Sequence, residues 1–342
     1  MDLALLLEKG VLILILTAIT LGIATYLTYG ERKVAAFMQD RIGPDRAGPY
    51  GIFQPLADAG KMFFKEDQIP KNSEASLFIL GPAIAMITAC VTSAVIPWGT
   101  SLEIFGRNVE LQVADVDIGV LYIMGVVSMG VYGIMIGGWA SNNKYSLFSA
   151  IRASSQMISY ELSMGLSLLA VILLSGELSL KEIVAQQHGF NWNIWYQPVG
   201  FLIFFICALA ECNRAPFDLA EAESELIGGY HTEYSSMKLG FYLFAEYINM
   251  FISSALMAAV YLGGYNFPGM DLLSNHPTIL GVLQVAVMFA KVSLFIFIFM
   301  WIRWTLPRFR YDQLMHLGWK SLIPLALINL VVTAALALLF QN

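Results

Sequence analysis

Apolar residues along this chain fall into eight long runs, at approximately 9–30, 76–97, 117–139, 153–175, 196–213, 235–262, 278–302 and 318–340. In lipid a helix satisfies every backbone hydrogen bond within its own segment, so each run reads as a spanning helix. The pattern predicts an all-α integral membrane protein with eight transmembrane helices, forming one membrane domain over residues 1–342. The connections on one side fall at about 31–75, 140–152, 214–234 and 303–317.

The first connection carries a second periodicity. Gly30, Gly43, Pro44, Gly48, Pro49 and Gly51 punctuate its start. Gln54, Asp58, Lys61 and Lys65 then recur at helical spacing, while Leu56, Ala59, Phe63 and Phe64 take the other side. That is the pattern of an interfacial amphipathic helix. By pattern alone a membrane-surface anchor fits best, and a gate for a lipid-dissolved amphipathic substrate is the functional alternative. Gly60-Lys61 suggests a phosphate loop, but Pro55 occupies the position where that motif needs its first glycine.

Composition agrees with the hydropathy pattern. The chain is 58% hydrophobic and 13% charged, with mean hydropathy +0.67, against roughly 25% charged residues in average globular proteins. The formal net charge of -6 hides how the charges are sorted. Of 19 Lys and Arg, 15 fall in the first, third, fifth and seventh connections and their flanks. The positive-inside rule therefore puts those connections on the inner face and both termini on the outer side. The start, MDLALLLEKG, is acidic where a signal peptide is basic, so the first helix is expected to be retained. Cys90, Cys207 and Cys212 lack metal or disulfide spacing, and the four histidines form no haem-ligating pair.

Polar residues inside apolar runs are the candidate chemistry. Glu161 lies in the fourth run, beside Tyr160 and two turns from Ser154, and a central acid facing lipid costs about 2.5–3.5 kcal/mol on insertion scales. It is expected to face protein or water. Glu211 ends the fifth run, and Tyr242, Glu246, Asn249 and Ser253 form a stripe down the sixth. In the seventh, Lys291 reads equally as a counter-ion or as part of a relay, with Gln284 two turns away. Arg303, Arg308 and Arg310 are accounted for by snorkelling and lipid headgroups. In the third run, Gly133 and Gly137 form a small-xxx-small pair suited to close helix packing.

The connection after Glu211 is the most acidic part of the chain. From Glu211 to Glu246 it adds Asp218, Glu221, Glu223, Glu225 and Glu233, against Arg214, Lys238 and His231. Pro216 and the pair Gly228-Gly229 break any continuous helix there. Crowded, partly buried carboxylates titrate as a coupled unit, which suits a proton loader or a redox-coupled switch. A solvated acidic loop or a docking patch for a basic partner is the plainer reading.

Four blocks carry a resemblance: GERKVAAFMQDRIGPDRAGPYGIFQPLADAGKMFFKE at 30–66, GGWASNNKYSLFSAIRASSQMISYELSMGLS at 137–167, NRAPFDLAEAESELIGGYHTEYSSMKLG at 213–240, and PRFRYDQLMHLGWKSLIPLALINL at 307–330. Together they resemble the H subunit of proton-pumping NADH:quinone oxidoreductase, respiratory complex I, over nearly the whole chain. Ala220 stands where many bacterial relatives have proline.

The resemblance implies a membrane subunit at the foot of a peripheral electron-transfer arm, in a bacterial or organellar inner membrane. It implies that Arg32, Arg41, Asp58, Lys61 and Tyr230 belong to the quinone chamber or its entrance. Glu161, Glu211, Asp218, Glu221, Glu223, Glu225, Glu233 and Glu246 would then form a proton-coupling funnel. Quinone would be the substrate, FMN and iron-sulfur clusters would belong to partner subunits, and no redox cofactor, metal or nucleic acid is expected on this chain. Its partners would be the other membrane and peripheral subunits and membrane lipids. The alternatives are the membrane anchor of an energy-converting hydrogenase or ferredoxin-fed complex, and a stand-alone proton-coupled transporter, although no internal repeat is visible.

Overall fold

The apolar runs fold as helices whose ends differ from the hydropathy boundaries. The computed structural model describes residues 3–104, 107–219, 226–270 and 276–340. In order the helices are α1 (Leu3–Met38), α2 (Gln54–Phe64), α3 (Ala75–Thr92), α4 (Gly119–Ala140), α5 (Lys144–Ser175), α6 (Leu180–Gln186) and α7 (Asn193–Tyr196). They continue as α8 (Pro198–Glu211), α9 (Ser236–Tyr261), α10 (Pro277–Thr305), α11 (Tyr311–His316) and α12 (Ile323–Phe340). A π-helix, Leu317–Leu322, joins the last two.

Among the described residues, seven helices are long and apolar enough to cross a membrane: α1, α3, α4, α5, α9, α10 and the α11–α12 unit. The run expected at 196–213 gives only the 14 residues of α8, about 21 Å at 1.5 Å per residue against a hydrocarbon core of about 30 Å. Pro198 fits the first turn because it needs no amide partner there. Past Glu211 the chain turns at Asn213, whose φ of 48° is left-handed, and meets Pro216.

Two more boundaries are corrected. α1 does not stop at residue 30 but runs to Met38, because Glu31 finds cationic partners and Ala35 and Ala36 are buried. α5 starts at Lys144 rather than 153: the Asn143 side chain caps it by accepting from the Tyr145 amide at 3.0 Å, so the third connection shrinks to a tight turn. The expectation of a purely helical chain also misses a small hairpin after α3. There β1 (Ser101–Ile104) pairs antiparallel with β2 (Arg107–Glu110), Ser101 opposite Glu110 and Leu102 opposite Val109.

The core is organised around α3, α4, α5, α8 and α9. α3 packs on α4 with almost no side chain between them. A Cβ on Gly133 would lie 2.8 Å from the Ala85 amide nitrogen, and one on Gly137 would collide with the Tyr242 hydroxyl. The small-residue pair thus lets two backbones approach and seats a tyrosine from α9, whose hydroxyl donates to the Gly133 carbonyl at 3.0 Å. α5 lies against α4, α8 and α12, while α1 and α10 flank α9. Irregular backbone from Cys212 to Leu219 is mostly buried against these helices, with Ala215 half-buried.

Candidate functional site

Two neighbouring features are joined by one ion cluster. The first is a cavity of about 270 Å³ bounded by α1, α2, α9 and α10. Leu243, Phe244, Tyr247 and Trp304 give it an apolar, aromatic wall; Glu31, Arg32, Asp58 and Lys61 supply charge. Arg32 Nη1 and Asp58 Oδ2 form a salt bridge of 2.7 Å that ties α1 to α2, and Gln54 Nε2 donates to the other Asp58 oxygen at 3.1 Å. Leu56, Phe63 and Phe64 of α2 point away from the protein and are exposed.

Behind this cavity Glu31 is buried and saturated. Its Oε2 accepts from Arg214 Nη1 at 3.1 Å and from the Tyr247 hydroxyl at 2.8 Å, while Oε1 pairs with Arg303. The Arg214 guanidinium also stacks 4.1 Å from the Tyr247 ring centroid. A carboxylate at 7% side-chain exposure needs this much compensation, since an unpaired buried charge costs several kcal/mol.

Arg214 leads to the second feature, because it stands three residues after Glu211. Glu211, Asn213, Tyr230, Tyr242, Glu246 and Asn249 put polar groups into a small cavity of about 30 Å³ whose other walls are largely apolar residues of α3 and α4. The Tyr230 hydroxyl donates to Glu246 Oε1 at 3.1 Å. Gln156 of α5 donates to the Ala210 carbonyl at 2.8 Å, fixing the end of α8. Next to Tyr230, burial lowers the His231 imidazole from its ordinary 6.5 to about 4.

The other described acids of the expected funnel have partners of their own. Asp218 meets Arg308 Nη2 at 3.1 Å, and Glu233 accepts from Asn143 Nδ2 at 2.7 Å. Glu161 accepts from the Ser128 hydroxyl and lines an apolar groove with Leu121, Met124, Trp319 and Leu327. Glu221, Glu223 and Glu225 lie outside the described residues.

Of the five residues expected around quinone, the structure brings together Arg32, Asp58 and Lys61. Arg41 is apart, exposed and donating to Gln39 Oε1 at 2.8 Å, and Tyr230 belongs with Glu246. Among the described residues no acid pairs with Lys291: its ammonium donates to the carbonyls of Leu262, Gly264 and Asn266 at 2.7, 2.8 and 2.7 Å. All three donors are used on backbone, locking the turn after α9. Arg303 and Arg308 also differ from the snorkelling expectation, since both pair with acids of the protein. Sequence reasoning missed Glu31, Arg214 and Tyr247 as a unit. The available signal was an acid at the foot of an apolar helix beside two cations, Arg32 and Lys33.

A model of the family described as NADH dehydrogenase matches residues 11–334. The chain is 64% identical to the NADH-quinone oxidoreductase H 1 subunit of Cytophaga hutchinsonii, covering 98% of each, and 62% identical to the H subunit of Flavobacterium psychrophilum, covering 100% of each. It is also 49% identical to the H 1 subunit of Geobacter metallireducens, covering 99% of this chain and 98% of that one. The chain belongs to the family of NADH-quinone oxidoreductase H subunits. Such a subunit is one part of a larger membrane enzyme, which sets aside the hydrogenase-anchor and stand-alone transporter readings. Within this H-family chain, the first of the four sequence blocks forms the α1–α2 wall of the larger cavity, and the third contributes Arg214 and Tyr230. No group of three or more metal-binding side chains occurs among the described residues.

Proposed function

We propose that the α1–α2–α9–α10 cavity is the lateral entrance through which quinone reaches its reduction site at the junction with peripheral subunits, and that the acids beyond it couple reduction to proton translocation. The observation that carries this reading is Glu31. It lines the cavity and, through Arg214, holds the segment that follows Glu211. A charged quinone species arriving at the cavity acts first on this saturated cluster. Any rearrangement of Glu31 leaves Arg214 buried and under-compensated next to Glu211 and Glu246, which shifts their proton affinity.

On this reading α2 lies in the membrane interface. Its exposed Leu56, Phe63 and Phe64 rest in the acyl boundary, and its Arg32–Asp58 bridge faces the entrance. α8 makes an eighth crossing despite its length, because the buried irregular segment after Glu211 completes it at membrane depth, where such backbone is tolerated only inside protein. The 15 inward cations put α2 and the Glu211–Ser236 connection on the inner face and both termini outside, in a bacterial or organellar inner membrane. The proton route includes Glu161, Glu211, Glu246, Glu233 and Asp218, with Glu221, Glu223 and Glu225 in the same connection. Electrons arrive from FMN and iron-sulfur clusters in partner subunits.

Ala59→Trp tests the entrance. The indole projects into the cavity, so KM for a short-chain quinone should rise about tenfold, ~1.4 kcal/mol, with kcat little changed. An unchanged KM in the assembled complex removes the cavity from the quinone path.

A further inference from the structure

The segment between Tyr230 and Lys238 is held at both ends by groups the proposed mechanism uses. At its start, Tyr230 bonds Glu246. In its middle, Glu233 accepts from Asn143, the residue that caps the helix carrying Glu161. At its end it is stitched to the chain leaving α2. Ser236 Oγ donates to the Met62 carbonyl at 3.0 Å, Ser235 Oγ donates to the Glu66 carbonyl and accepts from the Gln68 amide, each at 3.2 Å, and Lys238 pairs with Asp67 at 2.9 Å.

Each of these contacts alone is weak, and the outer ones are exposed. Four together nevertheless fix the register between two segments that are 167 or more positions apart. Ser236 does so at φ 55°, a left-handed conformation that a serine adopts only when its surroundings enforce it. The segment is also stiff across its width. Tyr230 meets Tyr242 edge to face at 5.1 Å, Tyr242 meets Tyr234 in the same way at 5.1 Å, and Tyr234 stacks on Phe78 at 4.0 Å. A pull at Ser235 or Ser236 is therefore carried to Tyr230 and Glu233, because the rings interlock and cannot slide independently.

We propose that Ser235 and Ser236 are positioning residues, which make the placement of Glu233 and Glu246 depend on the placement of α2. α2 is a wall of the entrance cavity, so its displacement by a passing quinone reaches the carboxylates through this clasp in addition to the Glu31–Arg214 route. The inference rests on the reading of that cavity as the quinone entrance.

The test uses the intact complex in proteoliposomes with a short-chain quinone, comparing Ser235→Ala/Ser236→Ala with the hydroxyl-retaining Ser235→Thr. With assembly confirmed and NADH oxidation by an artificial acceptor unchanged, the double alanine variant should lose kcat for quinone reduction by about tenfold, while KM stays within about twofold. Ser235→Thr should keep wild-type kcat. Wild-type kcat in the double variant overturns the proposal, and so does a rise in KM alone, which would mean that the serines only shape the cavity. Should the double variant not assemble, Asp67→Asn and Lys238→Gln together loosen the same stitch from its exposed side and must lower kcat in the same direction. The Ala59→Trp variant keeps the two readings separate: an unchanged KM there refutes the entrance and leaves the serine kcat result standing as a measure of the clasp.

Discussion

Glu31 of α1 and Arg214 of the connection after α8, 183 positions apart, meet at 3.1 Å with both side chains buried. One end of this pair looks into the apolar cavity and the other stands three residues from Glu211. Its stability consequence follows from burial. Glu31→Ala leaves Arg214 in low dielectric without its main counter-charge, and loss of one partner of a buried pair costs about 3–5 kcal/mol. Thermal inactivation of the assembled complex should shift to clearly lower temperature, and Arg303→Ala should cost less because Arg303 is more exposed. Equal shifts would show that the cluster is not centred on the Glu31–Arg214 contact.

Lys291 gives the opposite kind of expectation. Its three donors end on backbone carbonyls, so Lys291→Met orphans acceptors at Leu262, Gly264 and Asn266, at a cost of ~3 kcal/mol or more. Thermal stability should drop, while protons pumped per quinone reduced stay at the wild-type value in the complex that remains. A selective loss of pumping at normal stability would return Lys291 to a relay.

His231 sets a pH dependence. Its folded pKa is lowered by burial from 6.5 to about 4, so between those values the unfolded chain binds the extra proton and the native state does not. Stability is therefore full above pH 6.5 and is lost as pH falls toward 4. His231→Gln should flatten thermal stability across that window relative to wild type. An unaltered slope would place the titration elsewhere.

Much of this was legible in the sequence because the surroundings are apolar. A carboxylate such as Glu161 or Glu246 stands out in a hydrophobic run, and period alone located α2. Helix ends were harder to read. The polar start of the 31–38 segment resembles a loop until Glu31 is seen to be paired, and the Asn143 cap is recognisable only once α5 is known to begin there. Partners distant along the chain were not legible at all. No local pattern joins Glu31 to Arg214 or Asp218 to Arg308, and Lys291 binds carbonyls, which leave no trace in side-chain spacing. Among the described residues Glu31 is paired by Arg214 and Arg303 and Asp218 by Arg308, while Arg32 stays with Asp58.

Glu161→Gln in the assembled complex tests most directly the proposal that carboxylates set among the membrane helices, Glu161 half-buried among them, couple quinone reduction to proton movement. The substitution keeps size and hydrogen bonding to Ser128 but removes the titratable group. Quinone reduction and proton pumping should fall together, by about tenfold to a hundredfold, while NADH oxidation by an artificial acceptor is unchanged. Wild-type rates of quinone reduction and pumping in that variant would contradict the account.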